Sequence, residues 1–314
     1  MPKGRTRNKM RILFMGTPDI AAASLRRLIE AGHDICGVFT RADKPVGRKQ
    51  VLTAPPVKQV ALEHNIPVYQ PATLRDGEAA RIIRRLAPEL CVVVAYGRIL
   101  PPEVLAIPPR GCINLHVSLL PKYRGAAPVQ WAVLNGDAET GVSIMYLDEG
   151  LDTGDILKVA PVQIGPEETS GELFERITAQ GAETLLEAID EIAAGTARAV
   201  PQDHSKATLA PPLTKEMAKF DFSAAAAHLH DLVRGMNPWP MAYFVCEGKK
   251  VKVTRSRIAP GAGAPGQVLS TRPLVIACGE GALELCEVVP EGKRPMEGAA
   301  WAAGRRFAVG QQLP

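Results

Sequence analysis

The stretch RILFMGTPD, from Arg11 to Asp19, decides the fold of this chain. Its short apolar run predicts a buried strand over 11–15, and Gly-Thr-Pro predicts a turn into a helix that runs through 21–29 and stops at Gly32. A second apolar run predicts another strand over 34–40. A strand, a helix and a strand with a right-handed crossover open a doubly wound sheet. We therefore predict a Rossmann-like α/β fold with a mostly parallel sheet for the first half of the chain.

Further apolar segments extend this pattern as far as residue 194. They predict helices at 57–64, 76–86, 126–134 and 170–194, and strands at 90–96, 112–116, 141–147 and 156–164, the last antiparallel or at an edge. Residues 41–56 show no periodicity and predict a basic loop at the carboxyl edge of the sheet, where ligands bind in such folds. The basic residues there favour a phosphate partner, and a merely solvated loop is the alternative.

The second half of the chain has a different pattern. Residues 196–209 are polar and predict a linker, and a helix is expected at 222–234. Five short apolar segments separated by Gly and Pro then predict a small OB-like β-barrel, with strands at 241–245, 250–254, 267–269, 274–278 and 283–288. The expected organisation is a basic tail at 1–9 (native or added), a first domain at 10–195, the linker, and a second domain at 210–314.

Composition excludes several classes of protein. A chain of 314 residues with 46% hydrophobic and 22% charged residues is ordinary for a globular protein with two domains. No apolar run approaches the roughly 18 residues of a membrane helix. The six cysteines lack CxxC spacing, which predicts buried free thiols in a reducing cytoplasm and no metal site.

The distribution of charge favours a polyanionic partner. The net charge is +4, and residues from 196 onward carry fifteen Lys and Arg against ten Asp and Glu, which is +5. The rest carries 22 against 23, which is −1. A basic second half is compatible with a polyanion, although an ordinary solvated surface would give the same count.

Polar side chains on a predicted strand and in the loop after the next one form a candidate reactive group. Asn114 and His116 are two apart on the strand and therefore share a face, and the acidic loop offers Asp148, Asp152 and Asp155. An imidazole can exchange a proton near neutral pH, an amide can donate to a developing oxyanion, and a carboxylate can orient the imidazole. These groups suffice for acyl transfer to an amine without a metal, whereas the absence of GxSxG disfavours a serine hydrolase. Structural roles remain the alternative: a hydrogen-bonded histidine, a turn-capping asparagine and turn aspartates.

The motifs around these residues resemble those of the folate-dependent formyltransferases. The resemblance is carried by Asn114-x-His116, by the segment SLLP at 118–121 and by the segment GLDTGD at 150–155. Additional segments are similar to the methionyl-tRNA formyltransferases within that group, namely MGTPD at 15–19, VVVAYG at 92–97, YRGAAP at 123–128, GDAETG at 136–141 and NPWP at 237–240. The resemblance extends from about Arg11 to the C-terminus.

The resemblance implies a donor, an acceptor and a site. The donor would be 10-formyltetrahydrofolate and the acceptor the α-amine of initiator methionyl-tRNA, whose formylated form serves translation initiation. Asn114, His116 and Asp152 match the family's catalytic residues. The tetrahydrofolate-binding residues would be Ser118, Leu119, Leu120, Pro121, Arg98, Leu100, Asp148 and Gly150.

It also implies contacts with tRNA. Arg48 and Lys49 match the basic loop that meets the acceptor end, and the OB-like domain would bind the tRNA electrostatically. We further expect a cytoplasmic monomer that uses no metal and does not bind membranes. Two other hypotheses remain: an N-formyltransferase or formyl hydrolase with the same donor but another substrate, and a nucleic-acid-binding protein with an inactive first half.

Overall fold

The computed structural model describes residues 9–47 and 49–313. The strands, in chain order, are β1 (Arg11–Gly16), β2 (Asp34–Phe39), β3 (Lys44–Val46), β4 (Val51–Thr53), β5 (Val68–Tyr69), β6 (Leu90–Val94), β7 (Cys112–His116), β8 (Arg124–Gly125), β9 (Glu139–Tyr146), β10 (Ile156–Gln163), β11 (Leu209–Ala210), β12 (Tyr243–Cys246), β13 (Lys249–Ala259), β14 (Val268–Thr271), β15 (Leu274–Ala277), β16 (Ala282–Pro290) and β17 (Met296–Glu297). The helices are α1 (Asp19–Glu30), α2 (Pro56–Glu63), α3 (Glu78–Leu86), α4 (Pro102–Leu105), α5 (Pro128–Leu134), α6 (Ser170–Ala194), α7 (Ala226–Gly235) and α8 (Gly298–Arg305), with short 3-10 turns at His204–Lys206 and Glu216–Ala218.

A seven-stranded sheet with the order β10-β9-β7-β6-β1-β2-β5 carries the first half of the fold. The neighbouring strands β7, β6, β1, β2 and β5 pair in parallel, and β9 pairs antiparallel with β7. The fully buried LCVVV sequence of β6 explains its central place, since parallel strands are covered on both faces. The predicted doubly wound, mostly parallel sheet is confirmed, and β10 lies at an edge as expected.

The C-terminal part forms a six-stranded antiparallel sheet. Its order is β12-β13-β16-β15-β14, and β17 also pairs with β16. Five of these strands correspond to the five predicted segments, while β13 is longer than expected, because its alternating sequence continues to Ala259. Where an OB-like β-barrel was predicted, the structure confirms an antiparallel β domain.

One prediction about the chain is wrong, and one helix was missed. Residues 41–56 were expected to be a loop without secondary structure, but β3 and β4 pair there as an antiparallel hairpin. Gly47 and Gln50 adopt positive φ values of 72° and 49°, which allow the chain to reverse between the two short strands. The helix α8 was not predicted at all, and it buries Trp301 and Ala302.

Contacts between Cα atoms divide the chain into two compact units. The first contains the described residues up to Arg124, together with Gly141–Val162 and Arg176–Leu209. The second contains Gly125–Thr140, Gln163–Glu175 and the described residues from Ala210 onward. The domain boundaries expected at 10–195, 196–209 and 210–314 stay a prediction. None of the helices in the described residues is both long and apolar enough to cross a bilayer.

Candidate active site

Asn114 and His116 lie on β7 of the first unit, on the same face as predicted. The opposite face is covered by α6, where a Cβ added to Gly181 would lie 3.1 Å from the Leu115 side chain. His116 is buried, whereas Asn114 is partly exposed. Within the described part of the chain, the Asn114 amide makes no side-chain hydrogen bond, so it can serve a ligand.

The two ring nitrogens of His116 have different surroundings. Nε2 lies 2.9 Å from the carbonyl oxygen of Tyr123. Since a carbonyl only accepts hydrogen bonds, this contact requires a hydrogen on Nε2. Nδ1 lies 3.6 Å from Oδ2 of Asp152, which is an ion-pair distance rather than a hydrogen bond. The nitrogen able to meet a reacting group is therefore Nδ1.

Asp152 reaches His116 from the loop between β9 and β10, as the sequence predicted. Its φ of 53° lies in the left-handed region, which Asp tolerates better than most residues. Close packing limits this loop, because a Cβ on Gly154 would lie 1.9 Å from the carbonyl oxygen of Tyr146. Asp148 Oδ1 accepts hydrogen bonds from Gly150 N at 2.9 Å and from Thr153 Oγ1 at 2.6 Å, so this carboxylate organises the loop itself.

The predicted folate-binding segment from Ser118 to Pro121 follows β7 directly. Ser118 is fully buried, and its hydroxyl donates to the Lys122 carbonyl at 2.7 Å. Ser143 of β9 donates to the Ser118 carbonyl at 2.7 Å and accepts from Leu120 N at 3.1 Å. These bonds fix the shape of the segment around Leu119, Leu120 and Pro121.

Arg98 and Leu100 follow β6, the strand next to β7. Leu100 is buried and Arg98 partly exposed. Burial raises the pKa of the Tyr96 hydroxyl, while the Arg98 and Arg41 guanidinium groups act in the opposite direction.

Of the two predicted tRNA-binding residues, Lys49 is exposed at the turn of the β3–β4 hairpin, and Arg48 lies outside the described residues. Val46, Val51 and Leu52 on the two strands are also exposed, at 56%, 59% and 67%. Exposed apolar strands beside a basic turn give this hairpin the character of a contact surface.

The cysteines are unsuited to nucleophilic chemistry. Five of the six are buried, and Cys286 is partly buried. Burial raises the pKa of Cys36 and of Cys278 to about 11 each, which keeps both thiols protonated near neutral pH. Among residues 9–47 and 49–313, no group of three or more His, Cys, Asp or Glu side chains could hold a metal ion.

Two residues near the site were not predicted from the sequence. Gln202 is buried, and its Nε2 donates to the carbonyl oxygens of Asp152 at 2.9 Å and Gly154 at 2.7 Å. Arg124 is also buried and donates from Nη2 to Gln202 Oε1 at 2.6 Å. Arg124 stands in the YRG motif at 123–125, which is part of a segment that carries the family resemblance. Gln202 lies in a polar segment that predicted only a linker.

Comparisons with known proteins place the chain in a family. Residues 10–189 match the family described as formyl transferase, and residues 212–306 match its C-terminal domain. The chain is 46% identical over 307 residues to the methionyl-tRNA formyltransferase of Myxococcus xanthus, with 97% of this chain and 98% of that relative covered. It is 44% identical over 308 residues to that of Alkaliphilus oremlandii, with 97% and 99% covered.

Solved structures share the fold at lower identity. The N-formyltransferase from Helicobacter canadensis, in complex with folinic acid and dTDP-3-aminofucose, aligns with a TM-score of 0.68 and 19% identity over 88% of this chain and 98% of that one. HypX from Aquifex aeolicus, in complex with tetrahydrofolic acid, aligns with a TM-score of 0.62 and 18% identity over 96% of this chain. The alignment covers 48% of HypX, so this chain spans about half of that protein's length.

Proposed function

This chain belongs to the formyl transferase family, and on that premise we propose that it transfers a formyl group from 10-formyltetrahydrofolate to the α-amino group of methionyl-tRNA. The product is formylmethionyl-tRNA for translation initiation. The acceptor follows from relatives that carry this activity in their names and match nearly the whole chain. The folate donor is supported by two proteins of the same fold, whose structures hold folinic acid and tetrahydrofolic acid.

One observation about the site carries the proposal. The imidazole of His116 stands 3.6 Å from the Asp152 carboxylate, and Asn114, whose amide makes no side-chain hydrogen bond within the described residues, lies on the same strand face. An amide donor, a proton-exchanging ring and a carboxylate are the groups that an acyl transfer between two nitrogens requires.

The reaction then proceeds by addition and elimination. The methionyl amine attacks the formyl carbon, a new carbon–nitrogen bond forms, and the carbonyl electrons move to oxygen. Asn114 and the Nδ1–H of protonated His116 stabilise that oxyanion, while Asp152 stabilises the imidazolium. The oxyanion electrons then re-form the carbonyl, and the bond to the folate nitrogen breaks with its electron pair on that nitrogen. The amine loses a proton and the folate nitrogen gains one, with Asp152 aiding this transfer through water.

The substrates occupy separate parts of the site in this proposal. The segment from Ser118 to Pro121, the backbone at Arg98 and Leu100, and the loop at Asp148–Gly150 bind the folate. Arg48 and Lys49 contact the tRNA acceptor end. The enzyme works as a monomer in the cytoplasm, where charged tRNA is available.

The test is formyl transfer from 10-formyltetrahydrofolate to charged initiator methionyl-tRNA. The wild type should transfer the group, and His116→Ala should lose most of the activity, because it removes both the proton-exchanging group and an oxyanion donor. His64→Ala changes an exposed histidine at the end of α2 and serves as the matched control. Wild-type folate binding without transfer to tRNA would reject this acceptor and favour another amine substrate.

A further inference from the structure

We propose that Arg124 and Gln202 form a clamp of positioning residues that holds the two groups facing the ring nitrogens of His116, the Tyr123 carbonyl and the Asp152 carboxylate, for the transfer step. The inference rests on the proposed function for its catalytic consequence. The hydrogen bonds of the two side chains go to groups other than the His116 imidazole. Each acts on a backbone segment that carries a group facing the ring. Gln202 holds the loop of Asp152, and Arg124 directly follows Tyr123 in the chain.

The orientation of the Gln202 amide is fixed by its partners. Arginine has only donors, so the atom that faces Arg124 Nη2 at 2.6 Å must be the amide oxygen. The amide nitrogen then faces the carbonyls of Asp152 and Gly154, and both of its hydrogens are used. The side-chain amide thus makes three hydrogen bonds to oxygen and nitrogen groups inside the protein, and its Nε2 also lies 3.9 Å from the Met145 sulfur.

The clamp acts on the backbone that carries the Asp152 carboxylate. Gln202 holds the carbonyl of Asp152 itself and the carbonyl two residues later, so it limits rotation on the C-terminal side of that residue. Asp152 has a φ of 53°, a conformation that persists only where its surroundings determine it. Without the two amide hydrogens, the carboxylate loses a constraint that keeps it near His116 Nδ1.

Arg124 ties the other side of the ring into the same network. It directly follows Tyr123, whose carbonyl accepts from His116 Nε2, and its own backbone N donates to the Thr208 carbonyl at 2.9 Å. Its guanidinium is buried, and Nη2 also contacts His204 Nδ1 at 3.0 Å. The group therefore joins the segment that carries Tyr123 to the segment that carries Gln202.

The sharpest variant is Gln202→Glu. It keeps the size of the side chain and the acceptor for Arg124 but replaces the two donors with an oxygen that repels both carbonyls. We expect kcat for formyl transfer to fall about 10- to 100-fold, as is typical when an orienting partner is lost, with the KM values for folate and tRNA little changed. Gln180→Glu makes the same chemical change on the exposed face of α6 and should keep wild-type kinetics.

A spectroscopic measurement separates positioning from general destabilisation. The imidazole ¹⁵N chemical shifts of His116, assigned by their absence in His116→Ala, should change in Gln202→Glu and not in Gln180→Glu. If Gln202→Glu does not fold, Gln202→Met keeps the volume without placing a charge beside the carbonyls, and the same losses are expected.

Two results would overturn the clamp. One is a folded Gln202 variant with wild-type kcat, and the other is a folded Gln202 variant with unchanged His116 shifts. An inactive wild type would instead overturn the proposed function, and the His116 shifts of the Gln202 variants would still decide whether the clamp exists.

Discussion

At the scale of single residues, Asn114 gives the most direct prediction about catalysis. Its amide makes no other side-chain hydrogen bond within the described residues, so its removal should affect the transition state rather than the fold. Loss of one oxyanion donor typically costs about 2.7–4 kcal/mol, so Asn114→Ala should lower turnover by about 100- to 1000-fold. Steady-state kinetics of formyl transfer would measure this, with the thermal unfolding midpoint staying close to that of the wild type.

Asn114→Asp is the matched variant for this prediction. It keeps the shape of the side chain but replaces the donor with a negatively charged oxygen, which repels the oxyanion. Its turnover should fall at least as far as that of the alanine variant. Near-normal turnover in either variant would show that this amide is not an oxyanion donor.

Residues that act in the site differ in how well a sequence reveals them. The shared face of Asn114 and His116 was predictable, because alternate residues of a strand always point the same way. For Asp152, the strand pattern predicted only that it lies in a loop after a neighbouring strand, not how near its carboxylate comes to His116. Gln202 was missed because its partners lie 48 and 50 residues away, and a glutamine in a polar segment has no local signature.

At the scale of elements, the N-terminus of α6 leads to a prediction about how the stability of the fold depends on pH. Thr169 N donates to Glu172 Oε2 at 2.9 Å, and Glu172 N donates to Thr169 Oγ1 at 3.3 Å, which is a capping box. The backbone hydrogen bond from Thr169, followed by the bond from Arg255, lowers the pKa of Glu172 from 4.5 to about 2. Because the folded pKa is depressed, the carboxylate stabilises the fold above pH 4.5, and this contribution is lost as the pH falls from about 4.5 to about 2.

Glu172→Gln should therefore be less stable than the wild type at pH 7, with a difference that narrows through that acidic window. Thermal unfolding from pH 7 down to pH 2 would measure both midpoints. Glu175→Gln, which changes an exposed glutamate beyond the cap, is the control and should show no such narrowing gap. A constant difference between Glu172→Gln and the wild type at all pH values would contradict the prediction.

Helices and strands were predictable where the segment was long enough for its apolar residues to show a clear period. The bounds of β7 and of α6 agree with the sequence prediction, since both have clear apolar periods. The β3–β4 hairpin was missed because each strand has three residues, all exposed, and one contains a proline. The helix α8 was missed because its sequence, GAAWAAGR, begins with glycine and carries little polar pattern.

At the scale of the whole molecule, charge should govern the encounter with tRNA. The excess of basic residues lies after residue 196, and Lys49 adds a charge at the turn of the β3–β4 hairpin. Each lysine that neutralises a phosphate releases counterions, so the affinity falls with salt in proportion to the number of such contacts. If Lys49 meets the acceptor end, Lys49→Ala should weaken binding of methionyl-tRNA and reduce the slope of log affinity against log salt by about 1. Filter binding of charged tRNA over a range of salt concentrations would measure the slope, and the KM for folate should stay unchanged.

Arg75→Ala removes one exposed positive charge elsewhere and serves as the control. An equal loss in both variants would mean that tRNA responds to net charge alone, whereas a loss confined to Lys49→Ala would assign the hairpin to the interface.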